Sequence, residues 1–136
     1  MSKFTDLAGD LLWTFEIPPT AAGTALEQPG LILPKNALIT SARWVPGAAV
    51  TANVTNFATI SLRNRGAAGA GAVQPATPRS YASGNSVANV AESLALSSTA
   101  TDLQPAAGDV LTVSIAHSGT GLAIPAGLLQ VALRWR

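Results

Sequence analysis

The stretch "DVLTVSIAHSGTGLAIPAGLLQVALRWR", residues 109–136, decides the fold class. It holds two runs that alternate with period two. In the first, Leu111, Val113 and Ile115 share one face, and Thr112, Ser114 and Ala116 the other. In the second, Leu129, Val131, Leu133 and Trp135 oppose Gln130, Ala132, Arg134 and Arg136. Successive side chains of a strand point to opposite sides of a sheet, so each run reads as a half-buried strand. A helix would need apolar groups three and four residues apart.

The same pattern extends toward the N-terminus. "LLWTFEI" places Leu11, Trp13, Phe15 and Ile17 together, which predicts that Trp13 and Phe15 are core. Pro18-Pro19 ends the run, because proline has no N–H for a ladder. A long polar stretch through "TAAGTALEQPG" then leads to a short apolar piece, Leu31 to Leu33. A strand is expected from about Ala37 to Val45. Both its faces are apolar, Leu38, Ala42 and Trp44 against Ile39 and Val45, and alternation leaves open which one is core. "NFATISLRN" directs Ala58, Ile60 and Leu62 inward and Phe57, Thr59, Ser61 and Arg63 outward. "GAAGAGAVQPATP" is a small-residue loop. "RSYAS" is a weak strand, "GNSVANVAES" at most a single turn, "SLALS" a short strand with Leu94 and Leu96 inward, and "TDLQPAAGD" turn-rich. Seven to nine short, mostly antiparallel strands predict an all-β chain, a single jelly-roll-like β-sandwich.

Composition limits the function classes. At 136 residues the chain is one domain, with residues 1–20 expected as an arm and first strand and residues 21–136 as the main sandwich. There is no Cys, which excludes disulfides, thiolate metal sites and catalytic thiols. Charged residues make up 11 %, against roughly 25 % in an ordinary soluble domain. A surface so poor in charge is expected to face other protein. The net charge is +1 and the densest basic cluster is Arg63–Asn64–Arg65, so binding of nucleic acid through its phosphates is not expected. No apolar run approaches the ~20 residues of a membrane helix. Asp6 and Asp10 interrupt any signal-like core at the N-terminus.

Catalytic patterns are missing. His117 is the sole histidine, at the end of the clean strand, with Ser118 beside it but no acidic third member. It reads as a strand-end histidine whose polar tip is hydrogen-bonded or wet. The seven carboxylates are scattered, Asp102 and Asp109 reading as turn residues. "GAAGAGA" lacks the Gly-Lys-Ser/Thr ending of a phosphate loop. No enzyme activity, cofactor, metal or small-molecule substrate is expected. The residues expected at a protein interface are Phe4 and Leu7 of the arm, the aromatics Trp44, Phe57, Tyr81 and Trp135, and the arginines Arg63, Arg65, Arg134 and Arg136. Aromatic and arginine side chains are enriched among interface anchors. An alternative reading makes Trp44, Phe57 and Tyr81, with Asn56, a glycan platform.

Several stretches, taken in order, resemble one group. They are "AAGTAL", "ITSARWVPGAAVTANVTNFATISLRNRG" and "LALSSTATDLQPAAGDVLTVSIAHSGTGLAIPAGLLQVAL". The chain resembles the small capsid decoration (cement, or head-auxiliary) proteins of tailed bacteriophages. The resemblance rests on a strand ending in Val-Pro, a Leu62-x-Asn64-x-Gly66 turn, an "AAGDVL" strand start and a "GTGLAIPAGLLQV" hairpin, from about Ala21 to Leu133. It implies a β-sandwich made in the host cytoplasm that binds the outer surface of the virion's capsid and stabilises it. It also implies a trimer at local threefold positions, with the major capsid protein and further copies of itself as partners. It carries no catalytic residue. The arm Met1–Asp10 and the C-terminal strand are expected near the trimer or capsid contact. A receptor- or glycan-binding β-sandwich module of a phage tail or head fibre is the alternative.

Overall fold

The two runs that decide the class become the central strands of two different sheets. A computed structural model describes residues 10–136. Its strands are β1 (Leu11–Ile17), β2 (Leu26–Ile32), β3 (Ala37–Pro46), β4 (Phe57–Asn64), β5 (Arg79–Ser80), β6 (Glu92–Ser93), β7 (Val110–Ser118) and β8 (Gly127–Trp135), with one 3-10 turn at Ala100–Leu103. One sheet has the order β1-β8-β3-β6 and the other β2-β7-β4-β5. All strand pairs are antiparallel. With β8 seated between β1 and β3, and β7 between β2 and β4, the order is that of an eight-stranded jelly roll.

The inner faces of the two sheets enclose one core. β7 contributes Leu111, Val113 and Ile115, β4 Ala58, Ile60 and Leu62, and β8 Leu129, Val131 and Leu133, all buried as their alternation requires. Each large side chain fully removed from water contributes about 1.5–3 kcal/mol. Thr112 and Ser114 point outward yet are also buried. The cause is position: β7 is flanked in register by Glu27 and Pro29 of β2 and by Ser61 and Arg63 of β4.

The ambiguity of β3 has a structural cause. Its register against β8 shifts between Ile39 and Ser41, leaving Thr40 as the extra residue of a bulge. Inward positions are odd before the bulge (Ala37, Ile39) and even after it (Ala42, Trp44, Pro46). One apolar set could not serve the whole strand, because a one-residue insertion flips every later side chain.

Two expectations are corrected. First, β2 begins at Leu26, inside the stretch read as polar loop, and Pro29 lies within it opposite Thr112. β2 is a sheet edge, where a missing N–H costs no ladder bond. Gly30 is the extra residue of its bulge. A Cβ there would overlap the Phe15 ring, so glycine lets the two sheets close at this point. β1, the expected first strand, pairs with β8 from Leu11↔Leu133 to Ile17↔Gly127. Second, "GTGLAIPAGLLQV" is no hairpin. β7 and β8 belong to opposite sheets, and the link crosses between them with Gly119 and Gly121 at positive φ and Ile124 buried.

Candidate interaction surface

The residues expected at an interface scatter once the chain is folded. Phe4 and Leu7 lie outside the described residues. Trp44 and Tyr81 are fully buried, which corrects their placement on a surface. The even-numbered face of β3 after its bulge turns Trp44 inward, and its indole Nε1 donates to the Tyr81 hydroxyl at 2.9 Å. That hydroxyl lies 2.7 Å from Ser86 Oγ, and Ser86 in turn donates to the Glu92 carboxylate. Arg79 completes the cluster. Its Nε donates to Glu92 Oε1 at 2.8 Å, and its guanidinium lies 4.1 Å from the centre of the Tyr81 ring. A buried indole N–H and phenol require such partners.

Phe57 is half-buried against the core. Asn56 uses its side-chain carbonyl to accept from Thr120 N. The aromatic platform that a glycan would need is therefore not assembled from Trp44, Phe57, Tyr81 and Asn56.

The arginines are largely engaged within the chain. Arg65 pairs with Glu27 and donates to the Gly71 carbonyl. Arg134 pairs with Asp10 at 2.6 Å. Asp10 also accepts from the hydroxyl of Thr40, the β3 bulge residue, at 2.8 Å. Thr40's hydrogen bond and then Arg134's hold the Asp10 carboxyl below its ordinary value of 3.8. Arg136 is exposed, and its Nε donates to the Ala37 carbonyl. Arg63 is half-buried with its Nε unpartnered, in register with Thr112, whose hydroxyl is likewise unpartnered, as is that of Ser114.

His117 joins loops. Its Nε2 lies 2.9 Å from the Thr24 carbonyl, and its Nδ1 accepts from Leu122 N at 3.4 Å. With Nδ1 as acceptor, Nε2 is the donor to the Thr24 carbonyl. Asp109 accepts from Asn64 Nδ2 and Ala106 N, both at 2.9 Å, and Asp102 accepts from Ser97 Oγ. Among the described residues no three His, Cys, Asp or Glu side chains converge as a metal site would need.

What the structure assembles is an apolar strip that the pattern reading divided. β1 and β2 are stacked edges on one side of the sandwich. Leu12 is 63 % exposed, Trp13 41 % and Ile32 69 %. A groove of about 430 Å³ runs among Leu11, Leu12, Trp13, Leu31, Ile32, Pro34, Leu133 and Trp135. Trp135, alone of the four aromatics expected at an interface, lines it. Trp13 corrects the expectation of a core residue. It has the inward parity of Phe15, but the β1 edge leaves one side of its ring without a neighbour. The available signal was "LLW", three consecutive large apolar residues, which obliges one of them to face out of the sheet. No family model, no curated protein and no solved structure matches the chain.

Proposed function

We propose that this chain is a structural virion protein: a small jelly roll that binds the exterior of an assembled phage capsid, as a trimer at local threefold positions, and stabilises it. The observation that carries the reading is an uncovered apolar strip, Leu12, Trp13 and Ile32, on a sandwich with little surface charge. Contiguous exposed apolar surface on a small domain marks an interaction site. Neutral surface packs against protein without the cost of desolvating charges.

Two of the four motifs behind the resemblance to decoration proteins, the Leu-x-Asn-x-Gly turn and "AAGDVL", meet in space. Asn64 and Gly66 of the Leu-x-Asn-x-Gly turn bond to each other through the Asn64 side chain at 2.8 Å. Asn64 then bonds to Asp109 of "AAGDVL", and the Val110 N–H donates to the Gly66 carbonyl. These motifs are one turn assembly at one end of the sandwich. Jelly rolls occur in capsid proteins and in lectins alike, so the fold is compatible with the reading and does not by itself decide it. A domain that touches several capsid subunits at once gains by linked contacts.

The test is sedimentation of the full chain, alone and with emptied, expanded heads of tailed phages. A trimer that pellets with the heads at saturable high copy number is the expected result. A monomer that stays in the supernatant overturns the reading, and hits on a glycan array would then favour a receptor-binding module. Removal of residues 1–9 is expected to lower head occupancy, and unchanged occupancy removes the arm from the account.

A further inference from the structure

Three buried side-chain polar atoms among the described residues have no hydrogen-bond partner, and all three lie on one face. They are Arg63 Nε, Thr112 Oγ1 and Ser114 Oγ. Thr112 is 4 % exposed and Ser114 7 %. Arg63 on β4 stands directly opposite Thr112 on β7, and Ser114 stands opposite Ser61, one step along the same face. Opposed side chains have Cβ atoms about 4.5–5.5 Å apart and diagonal ones about 7–8 Å, both within reach of a long side chain. The three groups therefore converge on the outer face of the β2-β7-β4-β5 sheet. Buried polar groups of native proteins are nearly always hydrogen-bonded, so three unpaired neighbours require a reason.

Their chemistry defines what would satisfy them. The Arg63 Nε–H can only donate, and each hydroxyl has one proton to give. Backbone carbonyls offer no substitute, because β7 is laddered to β2 on one side and to β4 on the other. Glu27, in register with Ser114, brings a carboxylate to this face, and Arg65 holds it. Arg63 enters no ion pair among the described residues. The cluster thus combines donors with one uncompensated positive charge. Its complement is a ligand that only accepts and carries one negative charge. A carboxylate meets both conditions, and its two oxygens match the planar guanidinium fork. A dianion such as phosphate would set its second charge against Glu27.

We infer that the outer face of β4 and β7 is a carboxylate-binding site, with Arg63 as its cation and the hydroxyls of Thr112 and Ser114 as its further donors. Arg63 is the movable part. Its side chain is half-buried, whereas both hydroxyls are sealed from water. A long unbranched side chain can lift from the sheet, and a strand-bound threonine or serine cannot. Lifting presents the Nε–H and the two hydroxyls to the ligand together. Binding then gives three unsatisfied donors charge-assisted hydrogen bonds, the stronger kind. The same group is carried by small organic acids and by the Asp and Glu side chains of a protein. The site does not rest on capsid binding, and it belongs to the sheet that lacks β1 and β8.

The probe is sodium acetate, added to the full chain at neutral pH against sodium chloride at equal ionic strength. The Arg63 Nε–H and the backbone amides of Thr112 and Ser114 are followed by nuclear magnetic resonance. A saturable shift with acetate, and none with chloride, is the expected result. Arg63→Gln should abolish the shift of the two amides. Thr112→Val should weaken binding about tenfold or more, the worth of one hydrogen bond to a charged group. This variant keeps the side-chain shape and removes a hydroxyl that has no partner. In chloride it should therefore melt no lower than the native chain, and acetate should raise the melting temperature of the native chain more than its own. Glutamate blocked at both ends separates the two sources: tighter binding than acetate points to a protein side chain, and equal binding to a free acid. A shift that never saturates, or that both variants share, overturns the inference, and so does tighter binding of inorganic phosphate. A lower melting temperature of Thr112→Val in chloride also overturns it, because the hydroxyl would then be partnered within the folded chain.

Discussion

At the scale of single residues, two polar clusters tie together segments far apart in sequence. Ser86 donates its one hydroxyl proton to Glu92, so Tyr81 must donate to Ser86 and accept from Trp44. The run from indole to carboxylate is directional, and every member is satisfied. Tyr81→Phe keeps the ring but strands the Trp44 N–H in the core. It should lower stability by about 1–3 kcal/mol, the cost of a buried donor without a partner, read from the denaturant midpoint. Asp10 is the second case. Its pKa is lowered in the folded chain, so the stability it contributes is present above the ordinary value of 3.8 and is lost as pH falls through the lower, folded value. The gap in melting temperature between the native chain and Asp10→Asn should be open at neutral pH and close as the solution is taken below pH 3.8. A gap that persists in acid would assign the effect to something other than the carboxylate charge.

At the scale of elements, two bulges decide what packs where. In β3 the extra residue Thr40 moves the inward set from Ala37 and Ile39 to Ala42, Trp44 and Pro46. Deleting Thr40 would turn one of these sets to solvent. Loss of the near-ultraviolet dichroism of Trp44, with failure to fold cooperatively, is the expected outcome. In β2 the extra residue is Gly30, beneath the Phe15 ring. Gly30→Ala should cost about 1–3 kcal/mol, because overpacking drives side chains from their rotamers. Gly66→Ala makes a useful comparison, since no atom lies near a Cβ there and its cost would come from positive φ alone. A negligible loss at Gly30 would mean that the Phe15 ring yields freely. Neither bulge is visible in alternation, which assumes an unbroken period.

At the scale of the whole molecule, the jelly roll places the last strand in the middle of a sheet. β8 pairs with β1 on one side and β3 on the other. Truncation after Gly127 should therefore abolish folding altogether instead of fraying an end, as followed by circular dichroism and protease resistance. Much of this architecture was legible beforehand. The alternation of "NFATISLRN", "DVLTVSIAH" and "LLQVALRW" determined that the chain is all-β, and determined the inward faces of β4, β7 and β8, because a side-chain period of two is a property of the strand itself. Tertiary structure alone decided the rest. Whether Trp13 is core or surface depends on its position at a sheet edge, which no local period reports. The burial of Trp44 and Tyr81 depends on a bulge and on a hydrogen bond between residues 37 positions apart. The interaction strip joins Leu12 and Trp13 to Ile32 and Trp135, and only the stacking of β1 on β2 makes neighbours of them. Local sequence sets which way each side chain points, and sheet order sets what it meets there.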